Sequence, residues 1–99
     1  MFVTINGADI KSMKDFHDLI SQELRFPDWY GKNLDALYDC LTDISDDTTV
    51  TLTHALGWFQ TLGKDAITAV RVMQDASQLN PNFHFYFASD DDTYDDYDD

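Results

Sequence analysis

Three aspartates recur at four-residue spacing in the segment FPDWYGKNLDALYDCLTDI, residues 26 to 44. Asp35, Asp39 and Asp43 would lie on one face of a helix, where each like-charge pair costs roughly 0.2–0.5 kcal/mol. Asp35 complements the positive end of the helix macrodipole, but Asp43 falls near the C-terminal end, where a negative charge is unfavourable. Asp39 and Asp43 therefore need a reason other than local stability.

Large amphipathic rings surround these carboxylates, at Trp29, Tyr30 and Tyr38. Carboxylates four residues apart are ~6 Å apart along a helix axis, and successive phosphates of a nucleic-acid strand repeat on a similar scale. An acidic helix face flanked by rings can thus imitate a short piece of RNA, with carboxylates for phosphates and rings for bases. From the residues alone, a merely solvated acidic face remains an equal alternative.

Other chemical motifs are weak. His17, His54 and His84 are scattered and form no HExxH motif, so we interpret them as structural. Cys40 lacks a basic sequence neighbour that would activate its thiol, and we expect it to be a packing residue. The chain has neither a DxDxDG calcium loop nor a glycine-rich phosphate loop. We therefore predict no catalytic residue, metal or cofactor, while a metal-dependent enzyme stays open as a third hypothesis.

The chain carries a net charge of −13, from 19 acidic and 6 basic residues. This charge argues against nucleic acid or an anionic membrane as a partner and favours a basic protein. Residues 90–99, DDDTYDDYDD, contain seven of the acidic residues, and we expect a disordered acidic tail there. With one cysteine, no apolar targeting segment and no membrane-spanning run, cytoplasmic residence is the expectation.

Strand and helix patterns alternate along the chain. Ser12 and Asn33 are placed to cap the first two helices. The expected order is a strand at 2–5, a helix at 13–24, a second helix from 34 with Leu34, Leu37 and Leu41 inward, and a strand at 50–53. There follow a short helix or turn at 54–63 bringing Trp58 and Phe59 to the core, a helix at 65–79, and a strand with Phe83, Phe85 and Phe87. The longer helix is expected to bury Ile67, Val70, Met73, Ala76 and Leu79.

Strands separated by helices indicate a parallel sheet, and right-handed crossovers place the helices mainly on one face of three strands. The predicted fold class is a small two-layer α/β domain over residues 1–89, followed by the tail at 90–99.

The segment PDWYGKNLDALYDCLTD resembles the signature segment of the barstar family of bacterial ribonuclease inhibitors, and TINGADIKSMKDFHDLI and ITAVRVMQDA fall in register with it. The resemblance covers residues 1–89 and implies the same two-layer fold. It also implies that the chain is not an enzyme. It would be an intracellular inhibitor, or immunity protein, of a small basic guanyl-specific ribonuclease, and a monomer when free.

By this resemblance, Asp39 enters the phosphate site of the ribonuclease, Asp35 makes a second acidic contact, and Trp29 packs on the catalytic histidine. Further contacts are implied at Asn33, Tyr38, Thr42 and Asp75. Asp43 and Ile44 stand where the family has glycine and tryptophan, and we expect Asp43 to tune which ribonuclease fits. The alternative function is an acidic interaction module, on the same scaffold, that binds a basic partner other than a nuclease.

Overall fold

The structure, a computed structural model, describes residues 1–88, and the predicted tail and domain boundary lie outside this part. The strands are β1 (Phe2–Asn6), β2 (Thr48–Thr53) and β3 (Phe83–Phe87). The helices are α1 (Met13–Glu23), α2 (Leu34–Thr42), α3 (Ala55–Leu62) and α4 (Lys64–Leu79), with a short 3-10 helix at Gly7–Asp9. The predicted elements are all present; β2 begins two residues before its predicted start.

The three strands form one parallel sheet in the order β1-β2-β3. Val3 pairs with Val50, which in turn pairs with Phe85, so these side chains share one face of the sheet. The opposite face carries Phe2, which is 89% exposed, and Tyr86, which is 58% exposed. Only one face is covered by helices, and the predicted two-layer α/β fold is confirmed.

Helix α1 begins as its sequence predicts. The Ser12 side chain accepts a hydrogen bond from the Asp15 N–H at 3.0 Å, and Phe16 and Ile20 are completely buried. The helix ends in a Schellman motif, because the N–H of Phe26 bonds to the Ser21 carbonyl at 2.9 Å and Arg25 adopts φ 57°. The chain thereby turns sharply towards α2.

The predicted burial of several apolar residues is wrong. In α4, Ile67 is 46% exposed and Leu79 is 63% exposed, because the helix turns alanines towards the sheet and α2. Leu34 and Phe59 are half-buried and pack against the core, as predicted, whereas Phe87 at the end of β3 is 48% exposed. Trp58 is completely buried and packs against Phe16 with ring centroids 5.0 Å apart, as the sequence led us to expect.

The buried side chain of Asn80 ties α2 to the start of β3. Its amide Nδ2 donates to the carbonyls of Leu41, at 2.9 Å, and of Ile44, at 3.0 Å. Its Oδ1 accepts from the Asn82 N–H at 3.0 Å. The last carbonyls of a helix lack partners within the helix, so a residue far along the chain satisfies this end of α2.

None of the helices within residues 1–88 combines the length and apolar character needed to cross a membrane.

We predict that Asn80→Ala lowers the free energy of unfolding by roughly 1–3 kcal/mol, because it leaves buried carbonyls without donors. Asn80→Asp should also destabilise, since it keeps the acceptor but loses both donors. Asn82→Ala is the matched control: only backbone groups of Asn82 take part in the hydrogen bonds described, and its effect should stay within about 0.5 kcal/mol. Urea denaturation measures all three, and equal losses at both positions would contradict the assignment.

Candidate partner-binding surface

Helix α2 separates its apolar residues from its acidic ones. It begins at Asn33, whose Oδ1 accepts from the Ala36 N–H at 2.8 Å. Leu37 and Leu41 are completely buried on its inner side. Asp35, Asp39 and Asp43 are all exposed on the outer side. The nine-residue helix thus displays its three carboxylates along one exposed ridge.

A cleft of about 580 Å³ runs between this ridge and α4. We name it the first cleft; its lining consists of Leu34, Asp35, Tyr38, Asp39, Thr68, Val72 and Asp75. The structure therefore brings together four residues that the sequence analysis selected. Thr68 and Val72 were missed, although their spacing with Asp75 places all three on one side of α4. That signal gains meaning only when α4 is known to pack against α2.

A second cleft, of about 350 Å³, lies on the other side of α2. It brings Trp29 and Asp43 together, apart from the four selected residues of the first cleft. Its lining consists of Met1, Leu24, Arg25, Phe26, Pro27, Trp29, Cys40, Asp43, Ile44, Ser45, Asp46 and Thr48. The ridge of α2 therefore stands between two concave surfaces.

The loop between α1 and α2 presents Trp29 to solvent, with 69% of the residue exposed. Its neighbour Tyr30 is buried and packs on Phe26 with ring centroids 4.9 Å apart. The Tyr30 N–H also bonds to the Pro27 carbonyl at 3.0 Å. The loop is thus anchored on both sides of Trp29, which holds the indole at the rim of the second cleft.

Tyr30 forms a buried hydrogen bond with His17 of α1. The tyrosine hydroxyl lies 2.6 Å from His17 Nδ1, and both side chains are buried. Burial lowers the pKa of His17 and raises the pKa of Tyr30 well above its usual range. Both shifts favour the neutral forms of the two groups at physiological pH. His17 is structural, as predicted, and it supports the loop that carries Trp29.

An ion pair fixes the other end of this loop. Lys32 Nζ lies 2.7 Å from Asp18 Oδ1, and Lys14 Nζ lies 2.7 Å from Asp18 Oδ2. The hydrogen bonds from Lys14 and Lys32 lower the pKa of Asp18 to about 2. Lys32, the basic residue next to the N-cap of α2, is thus engaged with a carboxylate of α1.

Three of the selected residues also form hydrogen bonds within α2 or at its ends: Asn33, Thr42 and Asp43. Asn33 caps the start of the helix, and the Thr42 hydroxyl donates to the Tyr38 carbonyl at 2.9 Å. Asp43 forms the C-terminal cap, where its N–H donates to the Asp39 carbonyl at 3.1 Å. Its exposed carboxylate therefore sits at the negative end of the helix macrodipole, as predicted, where it gains nothing from the helix.

Within residues 1–88, no group of three or more metal-ligating side chains comes together. Cys40 is buried, and burial together with the nearby Asp39 and Asp43 raises the pKa of its thiol. A neutral buried thiol is a poor nucleophile. Cys40 is therefore a packing residue, as the sequence predicted.

We predict that His17 makes the stability of the fold depend on pH between about 7.5 and 5.5. Its pKa is lowered in the folded state, so the unfolded chain binds more protons as the pH falls through about 6.5, and the free energy of unfolding decreases by at most ~1.4 kcal/mol per pH unit. His17→Asn should flatten this slope. Urea denaturation at several pH values checks this, and an unchanged slope in His17→Asn would contradict it.

Comparison with known proteins identifies the family. Residues 1–89 match the family model described as "Barstar (barnase inhibitor)". A protein of Bacillus subtilis (strain 168) named "Putative ribonuclease inhibitor YrdF" is 39% identical over 80 residues, which cover 77% of this chain and 85% of that protein. The chain belongs to the barstar family, and the resemblance noted in its sequence is confirmed. Because the family is one of inhibitors, the prediction that the chain is not an enzyme is also confirmed.

Proposed function

We propose that this barstar-family chain is a proteinaceous inhibitor that blocks the active site of a small basic ribonuclease with the acidic ridge of α2. The family match and the inhibitor-named relative support ribonuclease inhibition in general. The observation that supports the specific mechanism is the ridge itself: Asp35, Asp39 and Asp43 stand exposed on a helix whose opposite side is completely buried.

The ridge has the chemistry of a short RNA backbone. Its carboxylates follow one another at ~6 Å along the helix axis, which allows Asp39 and a neighbouring aspartate to occupy adjacent phosphate sites. Charge-assisted hydrogen bonds from arginine and histidine to a desolvated carboxylate are strong. Because α2 is fixed before binding, little ordering is needed when the ribonuclease arrives. The inhibitor thus excludes substrate by occupying the sites that the phosphates need.

The other selected residues take supporting roles in this proposal. Trp29 supplies an exposed ring beside the ridge, in the place of a base. Asp75 and Tyr38 line the first cleft together with Asp35 and Asp39, so they widen the contact towards α4. The Thr42 hydroxyl already donates its proton to the Tyr38 carbonyl, which leaves its oxygen to accept a hydrogen bond from the partner. Asn33 acts mainly through the cap that orients α2.

Association is expected to be fast and sensitive to salt. The net charge of −13 attracts a basic enzyme. Salt screens this attraction, and at physiological ionic strength it extends over a screening length of only ~8–10 Å. In this proposal the partner is of the guanyl-specific type, and the inhibitor is an intracellular immunity protein that is monomeric when free.

We predict that the full chain inhibits barnase, the enzyme named in the family description, at a one-to-one ratio in an RNA hydrolysis assay. Asp39→Ala should weaken binding by at least about 2 kcal/mol, or roughly thirtyfold in Kd, because it leaves the cations of the enzyme site unpaired. Raising the salt concentration from about 0.05 to 0.5 M should slow association far more than it changes dissociation.

The control variant is Asp9→Asn, which removes one negative charge at an exposed position outside both clefts. Its Kd should stay within about twofold of the wild-type value. If neither barnase nor any other small basic ribonuclease tested is inhibited, or if Asp39→Ala has no effect on the inhibition seen, the proposal is wrong. Capture of a basic protein without inhibition would instead favour the interaction-module alternative.

A further inference from the structure

We propose that the second cleft receives an arginine side chain of the partner ribonuclease, and that Asp43 and Asp46 at this cleft help to determine which ribonuclease is accepted. The proposal deepens the proposed function and rests on it for the identity of the partner. It concerns a surface that is separate from the four site residues in the first cleft.

The second cleft is large enough for a long side chain. Its volume of about 350 Å³ corresponds to on the order of ten waters. Leu24, Phe26, Pro27 and Ile44 provide apolar lining, and the buried Cys40 also faces the cleft. An apolar lining of this kind suits the methylene groups of a long charged side chain rather than a small ion.

The polar groups at the cleft select the chemistry of the occupant. Asp43 and Asp46 supply two exposed carboxylates, and Trp29 supplies a ring that is 69% exposed. A guanidinium group can stack on an aromatic face and donate a pair of parallel hydrogen bonds to a carboxylate. An ammonium group lacks this planar fork, and an anionic group would be repelled. The combination therefore favours arginine over lysine.

The position of the cleft makes it part of the same contact. Asp43 follows Asp39 by four residues, so the two carboxylates are neighbours on the exposed side of α2 at ~6 Å along the axis. An enzyme that covers Asp39 must also lie over or beside the mouth of the second cleft. The C-terminal end of α2 adds a negative potential there. This gives Asp43 the external reason that helix stability does not provide.

Arg25 and Met1 both line the same cleft. The guanidinium of Arg25 and the N-terminal ammonium of Met1, which donates to the Asp47 carbonyl at 2.8 Å, oppose a cationic occupant. Arg25 forms no ion pair in the part of the chain that the structure describes. An incoming guanidinium must displace or tolerate it. Removing Arg25 should therefore tighten binding while removing either aspartate weakens it, and each effect should exceed that of the same charge change outside the cleft.

The first test measures the Kd of the full chain for barnase. Asp43→Asn and Asp46→Asn should each weaken binding about threefold to tenfold, and Arg25→Ala should tighten it by about threefold or more. Asp9→Asn and Lys64→Ala make the same charge changes at exposed positions outside the second cleft, and each should change the Kd by less than about twofold. A double-mutant cycle should couple Asp43 to one arginine of the enzyme.

The second test needs no enzyme. The full chain is titrated with Nα-acetyl-arginine amide, and with Nα-acetyl-lysine amide as the comparison, while NMR follows the indole N–H signals of Trp29 and Trp58. The arginine compound should shift the Trp29 signal more than the lysine compound does, and the Asp43→Asn/Asp46→Asn double variant should lose this shift. The completely buried Trp58 is an internal control and should not respond.

The outcomes separate the two proposals. If Asp39→Ala weakens binding but the three cleft substitutions leave the Kd unchanged, the cleft proposal is wrong and the proposed function stands. If barnase is not bound at all, the proposed function fails for this enzyme, and the titration with the amino-acid amides decides the cleft proposal by itself. An absent Trp29 shift, or equal shifts with arginine and lysine, overturns it.

Discussion

The hydrogen bonds from Asn80 to the carbonyls of Leu41 and Ile44 hold the end of the helix on which the surface depends. Helix α2 has nine residues, and an isolated helix shorter than ~12–15 residues is marginal in water. Its aspartates add repulsion at four-residue spacing. The helix therefore owes its stability to burial of Leu37 and Leu41, to the Asn33 cap at its start and to Asn80 at its end.

This dependence on tertiary contacts explains how one short helix can be apolar on its inner side and strongly acidic on its outer side. Its inner side supplies apolar burial worth roughly 1.5–3 kcal/mol for each leucine, which exceeds the few tenths of a kcal/mol that each aspartate pair costs on the outer side. The outer side is consequently free to be acidic without unfolding the helix. In the proposed function, a basic partner relieves this repulsion on binding, so the feature that weakens the free protein adds to the affinity of the complex.

The sequence predicts most of what is local. Ser12 and Asn33 cap their helices by accepting hydrogen bonds from backbone N–H groups three residues along the chain. The strand patterns likewise follow from alternation within each segment, so both features can be predicted from local sequence. The hydrogen bond from Asn80 to Leu41 joins residues 39 positions apart, and no local sequence pattern predicts it. Ile67 and Leu79 fit a helical stripe yet remain exposed, because alanines at neighbouring positions allow α4 to pack closely on that side. Likewise, the two clefts exist only after α1, α2 and α4 are packed, so the positions of Thr68, Val72 and Asp46 could not be assigned to a cleft before that.

The distribution of the basic residues bears on specificity rather than on attraction. The net charge of −13 draws in any basic protein, and this attraction alone does not distinguish a ribonuclease from another cation. Discrimination requires charges that become desolvated in a fixed geometry, together with groups that penalise a wrong partner. Lys32 is held by Asp18 of α1, which restrains it from neutralising the ridge, whereas Arg25 remains unpaired among the described residues beside the second cleft. In the cleft proposal, Arg25 repels every cationic side chain that enters the cleft, so only a side chain that also contacts Trp29 and the two aspartates offsets this repulsion. In the two proposals, the same surface combines an attractive ridge with repulsive groups at the second cleft, and its preference among basic partners depends on how each partner contacts both.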